Sequence, residues 1–176
     1  QNTIKLKDIL LGEVWICSGQ SNMEWTVGNT LNAKEEIAAA DHPQIRLFNV
    51  PGHVQGPVPS HDPRGSWQLC SPKTIGGFSA VGYFFGRSLQ KELNVPIGLV
   101  GTNWGGTRIE PWTPPVGFRQ VPNLKDYVAN LNSIDPTTDA GKANHEKYLA
   151  SVEKWLNKAR QDVQAGKAIG TPPRIS

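Results

Sequence analysis

A serine in a turn of small residues, at the end of an apolar run, is an arrangement in which a hydroxyl can act as a nucleophile. Such a turn occurs at Ser18-Gly19-Gln20-Ser21-Asn22, directly after Val14-Trp15-Ile16-Cys17. The apolar run has the composition of a buried strand, which places Ser21 at a strand's carboxyl end, where α/β sheets bind ligands. Plain turns share this composition, and spacing alone does not separate the two readings. A serine hydroxyl also needs a base to take its proton and donors aimed at the oxyanion that develops. The backbone N–H of Ser21 is one candidate donor. Gly105-Gly106, at the end of another apolar run, is a second place for one, because glycine lets the backbone approach a substrate oxygen without a Cβ in the way. An ordinary turn is the alternative there too.

The elements that must hold these residues follow from the pattern around them. Gln1 to Leu10 alternates weakly, as a half-buried strand does. Asn32-Ala33-Lys34-Glu35 has the spacing of a capping box and predicts a helix that Asp41-His42-Pro43 ends. Ile45 to Val50 reads as a strand, and Pro51 to Arg64 as a loop without periodicity. Ser79 can cap a helix with Val81, Phe84, Phe85, Leu89 and Leu93 on one face and Gly82 and Gly86 four apart for close packing on a sheet. Pro96 to Thr102 is the next buried strand. Strands alternating with helices imply parallel pairing and an α/β layer fold. After Trp112, prolines 111, 114, 115 and 122 predict an extended loop. Asp139 to Gly166 then forms a long amphipathic helix with Tyr148, Leu149, Val152, Trp155, Leu156, Ala159 and Val163 as its apolar stripe.

Composition narrows the function classes. A chain of 176 residues, 38% hydrophobic and 19% charged, has the make-up of a globular domain with a real core. A net charge of +3 with no basic run excludes an electrostatic footprint for nucleic acid. No stretch approaches the ~20 apolar residues of a membrane span, and the first residues lack a signal-peptide pattern. Cys17 and Cys70 are too few for a disulfide scaffold and lack zinc spacing, so no metal is indicated. Cys17 reads as a buried thiol and Cys70 as a loop residue beside Ser71-Pro72, with a disulfide between them as the alternative to two free thiols.

Gly12-Glu13-Val14-Trp15 with Cys17-Ser18-Gly19-Gln20-Ser21-Asn22-Met23-Glu24-Trp25 resembles the nucleophile block of the sialate O-acetylesterases, a branch of the SGNH (GDSL-like) hydrolases. Val95-Pro96-Ile97-Gly98-Leu99-Val100, Asn103-Trp104-Gly105-Gly106-Thr107 and Ile109-Glu110-Pro111-Trp112 are similar to that family's next signature. Asp41 to Phe48 and Phe78 to Arg87 also read like it, so the likeness runs from about Leu11 to Trp112. The resemblance implies a three-layer α/β/α fold with a parallel sheet, flavodoxin-like and incomplete in this chain. Residues 1–11 would close a preceding β-rich domain or connect from it, and 12–176 would be the first part of the hydrolase domain, ending in a Pro-rich linker. It implies an esterase that removes acetyl groups from sugars, most closely from O-acetylated sialic acids, with Ser21 as nucleophile. Ser21 and Gly106, or less favourably Gly105, would supply oxyanion donors. Gln20, Asn22, Trp104, Thr107, Arg108 and Trp112 would bind substrate.

Four of the six tryptophans, Trp15, Trp25, Trp104 and Trp112, lie in or beside the two blocks, where indole faces can stack on sugar rings or simply pack. The Arg108 guanidinium suits the carboxylate of a sialic acid, or a surface pair with Glu110. The family's later Asp-x-x-His pair and oxyanion Asn find no counterpart. No Asp here has a His three residues on, and of His42, His53, His61 and His145 only the loop residues His53 and His61 are placed where they could approach a cleft. The base is therefore expected outside this chain, on a second chain or a further segment of one precursor. The family is commonly secreted, periplasmic or lysosomal. Acetylxylan or another acetylated polysaccharide is the alternative substrate, and a non-catalytic carbohydrate-binding fragment the alternative function.

Overall fold

The computed structural model describes residues 3–52, 58 and 61–175, which divide into two compact units. The first comprises described residues 3–52 and 61–112, and is built on a four-stranded sheet in the order β1-β4-β2-β3. β1 (Glu13–Cys17), β4 (Ile97–Gly101) and β2 (His42–Asn49) run parallel, with Trp15 opposite Leu99 and Leu47 opposite the same residue on the other side. These are the strands expected from the apolar runs. The fold class is α/β as the sequence implies, but the sheet is mixed. β3 (Gln68–Cys70) pairs antiparallel with β2 at the far edge. Cys70 therefore ends a strand where a loop was expected.

One face of this sheet carries the core. Cys17, Ile45, Leu47, Ile97 and Leu99 point to the same side and are buried with Val27, Ile75, Phe78, Ala80 and Tyr83. The helix α3 (Ala80–Leu93) closes over them, capped by the Ser79 hydroxyl, which accepts the Gly82 N–H at 3.1 Å. Its packed side is centred on Ala80, Gly82, Tyr83 and Gly86, whereas Val81, Phe85 and Leu93 of the expected apolar face are 43–51% exposed. The glycines decide this rotation. A Cβ on Gly82 would stand 2.7 Å from the Cys17 sulfur, and one on Gly86 would stand 2.7 Å from Leu99 Cδ1, so the helix lies against the sheet where it has no side chains. Phe85 still meets Trp15 edge-on, with ring centroids 5.0 Å apart.

Several local expectations change once neighbours are in place. β1 is an edge strand, and on the sheet face opposite α3 its Val14 and Ile16 are 62% and 70% exposed; the buried strand read from its composition is buried only at Cys17. Residues 3–10 form no strand and Ile4 and Leu6 are exposed, because an alternating segment becomes a strand only where a partner takes its backbone groups. Gln1 and Asn2 lie outside the described residues. α2 (Ala33–Ala38) does start after Asn32, but without a side-chain capping bond. Cys17 and Cys70 are free and buried. They end strands on opposite edges and at opposite ends of the sheet, Cys17 level with Asn49 and Cys70 paired with His42, so the three interstrand spacings of about 14 Å are only the lateral part of a separation beyond the reach of a disulfide.

His42 opens β2, its Nε2 3.3 Å from the Tyr83 hydroxyl. The Arg87 guanidinium lies over the Tyr83 ring and pairs with Glu36 at 2.6 Å. Burial, and then the Arg87 charge, hold the His42 imidazole below its ordinary pKa, against smaller opposing effects of Asp41 and Glu36.

The second unit, described over residues 58 and 113–175, is helical. In place of the extended loop the prolines suggested, Pro115–Arg119 forms α4 and Lys125–Ile134 forms α5, with Phe118 of α4 stacked 4.5 Å from Tyr127 of α5. Pro114 and Pro115 start α4, since proline suits a helix's first turn. α6 (Asp139–Gln164) is the long helix the periodicity predicts. Its connection to α5 is fixed by Asp135, whose Oδ1 accepts the Thr137 hydroxyl at 2.6 Å and the Thr137 N–H at 2.8 Å; these bonds keep its carboxyl below the usual range. The covered stripe is narrower than expected. Ala159 is buried and Tyr148, Val152 and Trp155 half-buried, while Leu149, Leu156 and Val163 are exposed, because a ten-residue helix covers only one seam of a 26-residue one. No helix among the described residues is long and apolar enough to cross a membrane.

Two outcomes follow from the packing of α3. Gly82→Ala should lower stability by about 1–3 kcal/mol through overpacking, in spite of a helix-propensity gain of about 1 kcal/mol. A urea midpoint at or above that of the parent would refute this contact. His42 is held neutral in the folded state, so its contribution is complete above its unfolded value of about 6.5 and is lost as pH falls through the lower folded value. The urea midpoint should therefore drop as pH falls below about 6.5, and His42→Gln should flatten that drop; an unchanged slope would assign it to other groups.

Candidate active site

The site is made where two neighbouring parallel strands end. β1 and β4 stop at Cys17 and Gly101, but their pairing continues: Thr102 donates to the Cys17 carbonyl at 3.1 Å and Trp104 to the Gly19 carbonyl at 2.9 Å. Gly19 turns the chain with φ +138°, a conformation that side-chain-bearing residues rarely adopt. The short helix α1 (Ser21–Glu24) begins immediately after, with the Glu24 N–H bonded to the Gln20 carbonyl and the Trp25 N–H to the Ser21 carbonyl, both at 3.0 Å. The segment after α1 is tied to the start of α3 by Ala80 N–H to the Trp25 carbonyl at 2.8 Å. Ser79, the α3 cap, also donates to the Met23 sulfur at 3.3 Å. Ser21 thus stands on a turn braced from β4 on one side and α3 on the other.

Ser21 is exposed, and with Gly19, Gln20, Asn22, Met23 and Val81 it lines an open cleft of about 370 Å³. Its hydroxyl donates to Gln20 Oε1 at 3.2 Å. The second block comes alongside. The Gly105 N–H donates to Glu24 Oε2 at 2.8 Å, and the place a Gly105 Cβ would occupy is 3.5 Å from Ser21 Oγ. Gly106 follows with φ +75° and open space around its own Cβ position. Thr107 donates to the Trp104 carbonyl at 2.7 Å and accepts the Trp112 indole N–H at 2.9 Å, which fixes that ring half-buried on the loop. Arg108 is exposed.

Of the residues singled out from sequence, Gln20, Ser21 and Asn22 share the cleft, and Gly105 approaches the hydroxyl. Trp104, Thr107 and Trp112 form one hydrogen-bonded loop beyond it. Trp15 packs on Phe85, and the Trp25 indole donates to the Asn29 carbonyl. No histidine is among the cleft-lining residues. His42 begins β2, at the sheet end opposite to Ser21. His145 belongs to the helical unit, half-buried, its Nδ1 2.8 Å from the Gly141 carbonyl. His61 is exposed, and His53 lies outside the described residues. Sequence reasoning passed over Glu24 and the apolar cleft residues Met23 and Val81. A signal existed for Glu24, three residues after Ser21 and so on the same side of one helical turn. Val81 had been given to the core, and only the rotation of α3 about its glycines turns it to the cleft.

Residues 11–168 match the family described as carbohydrate esterase, sialic acid-specific acetylesterase. The chain is 37% identical over 145 residues to a sialate O-acetylesterase of Mus musculus, covering 76% of this chain and 27% of that protein. The Homo sapiens sialate O-acetylesterase is 38% identical over 120 residues, which is 63% of this chain and 23% of that one. A crystal structure of a carbohydrate acetylesterase from Xanthomonas citri superimposes with a TM-score of 0.56 at 38% identity, over 59% of this chain and 24% of that chain. The chain thus spans about a quarter of the length of these relatives. A family match over most of the chain, falling on the strand exits that carry Ser21 and Gly105-Gly106, places this protein in the sialic acid-specific acetylesterase family of carbohydrate esterases.

Proposed function

We propose that this chain carries the nucleophile of a serine carbohydrate O-acetylesterase that acts on O-acetylated sugars, sialic acids foremost. The observation that carries the reading is the position of the Ser21 hydroxyl: exposed in a cleft, at a parallel strand's carboxyl end, with a glycine loop from the neighbouring strand against it. Ser21 Oγ attacks the acetyl carbonyl while a base takes its proton. The tetrahedral oxyanion is met by the Ser21 N–H, which as the first amide of α1 has no intrahelical acceptor, and by the Gly106 N–H. Collapse releases the sugar as an alcohol, protonated by the same base, and water then hydrolyses the acetyl-enzyme by the reverse route. Met23 and Val81 give the cleft an apolar wall suited to a methyl group.

The base is a histidine of an Asp-x-x-His pair supplied from outside these residues, by a further segment or a second chain. The placement of His42 at the sheet end opposite to Ser21 supports this, as does the sheet order. β1 is an edge strand, and a parallel strand added to its flank would end beside Ser21. Trp104 and Trp112 present the sugar-binding surface, with Gln20, Asn22 and Thr107 as polar contacts.

In the intact protein Ser21→Ala should abolish hydrolysis of an acetylated sugar while leaving the circular dichroism spectrum and urea midpoint in place; retained turnover would refute the assignment. Arg108 gives a test of substrate class. Its guanidinium, exposed beside the loop, suits bidentate pairing with a sialic acid carboxylate. Arg108→Ala should lower kcat/KM on an O-acetylated sialic acid by about tenfold and leave acetylated xylan or a neutral acetyl ester unaffected. Equal losses on both would exclude a carboxylate-binding role.

A further inference from the structure

Glu24 lies in the nucleophile block, yet the reaction as described gives it no task. Its position is unusual for a surface acid. Oε2 accepts the Gly105 N–H at 2.8 Å, from a residue 81 positions away in sequence. The point where a Gly105 Cβ would stand is 2.3 Å from that oxygen and 3.5 Å from Ser21 Oγ. Carboxylate, loop and hydroxyl are therefore packed around one spot, which puts the charge within about 6 Å of the Ser21 hydroxyl, inside the range where such charges are felt. A hydrogen bond to an ionised acceptor is roughly twice as strong as a neutral one, so this contact is the firmest tie between the turn and the loop.

The bond also divides the labour of the glycine pair. The Gly105 N–H is committed to Glu24 and is not the donor a substrate would find. Gly106, the next residue, has the left-handed φ of +75° and open space beside it. We propose that Glu24 is a positioning residue: by fixing the Gly105 peptide against α1, it leaves the Gly106 N–H as the loop's donor to the oxyanion. This deepens the esterase reading above and rests on it. The absence of a side chain at Gly105 then has its own reason, since a methyl there would drive the carboxylate out of place.

The test is steady-state hydrolysis of para-nitrophenyl acetate and of an O-acetylated sugar by the intact protein, with urea midpoints measured for each variant. Glu24→Ala should reduce kcat by about tenfold to a hundredfold with KM little changed, as expected when a transition-state donor is misplaced by an ångström or less. Glu24→Gln keeps an acceptor oxygen and should restore most of kcat, which a charge-dependent folding role would not do. Gly105→Ala should cost about as much as Glu24→Ala, and little more when added to it, because both break one contact. Wild-type kcat in Glu24→Ala, a Gln variant no better than Ala, or fully additive losses would each overturn the proposal. Ser21→Ala, run alongside, separates the two levels: if it retains turnover the esterase reading itself fails, and if it does not, the Glu24 results stand on their own.

Discussion

The pairing of β1 with β4 does not stop where the strands stop, and the site depends on that continuation. Backbone bonds from Thr102 and Trp104 to the Cys17 and Gly19 carbonyls carry the parallel register past the sheet, and the Glu24–Gly105 bond extends it by one more step. Each backbone bond is worth only about 1 kcal/mol net, and the bond to the carboxylate about twice that. Together they convert the separation of two strands, set by the sheet at about 4.8 Å, into the separation of a hydroxyl and a peptide donor. A turn and a loop of this composition would be mobile alone. Here both are extensions of a ladder whose inner residues, Cys17, Ile97 and Leu99, are buried.

Parallel pairing also sorts chemistry by sheet end. The exits of β1, β4 and β2 leave from one end, and their starts gather at the other. His42 heads β2, and its Tyr83, Arg87 and Glu36 partners form a polar cluster there that serves packing: Arg87 lies over the Tyr83 and Phe84 rings while its charge is matched by Glu36. His42 is thus removed from Ser21 by the topology of the sheet, whatever its pKa.

The parts of the fold that local chemistry decides were legible. Ser79 caps α3 as its hydroxyl predicts, the apolar runs became β2 and β4, and Ser21 with the glycine pair stood out as a turn after one strand and a loop after another. Properties settled by neighbours were not. Val14 and Ile16 have the composition of buried residues, and only the sheet order reveals that β1 is an edge. β3 is three residues long, too short for any periodicity, and exists because β2 offers it a partner. α5 buries no residue fully, and the prolines before it suggest an extended loop. At the site, Glu24 and Val81 matter through contacts made across 81 and 60 positions of sequence, and no spacing rule spans such a distance.

The two cysteines end strands at opposite margins of the sheet, each a free thiol sealed in the core. Burial pushes the Cys70 thiol up to about 11, and raises that of Cys17 as well, so neither reacts from the closed state at neutral pH. Each is in effect a clock for its own edge. Cys17 is covered by Gly82 of α3, and a thiol reagent reaches it only when the helix lifts from β1. Cys70 answers instead to fraying of β3 from β2. The rates at which the two thiols are modified therefore read out, within one molecule, how often the β1 margin that leads to Ser21 and the β3 margin of the sheet open, and whether they open together.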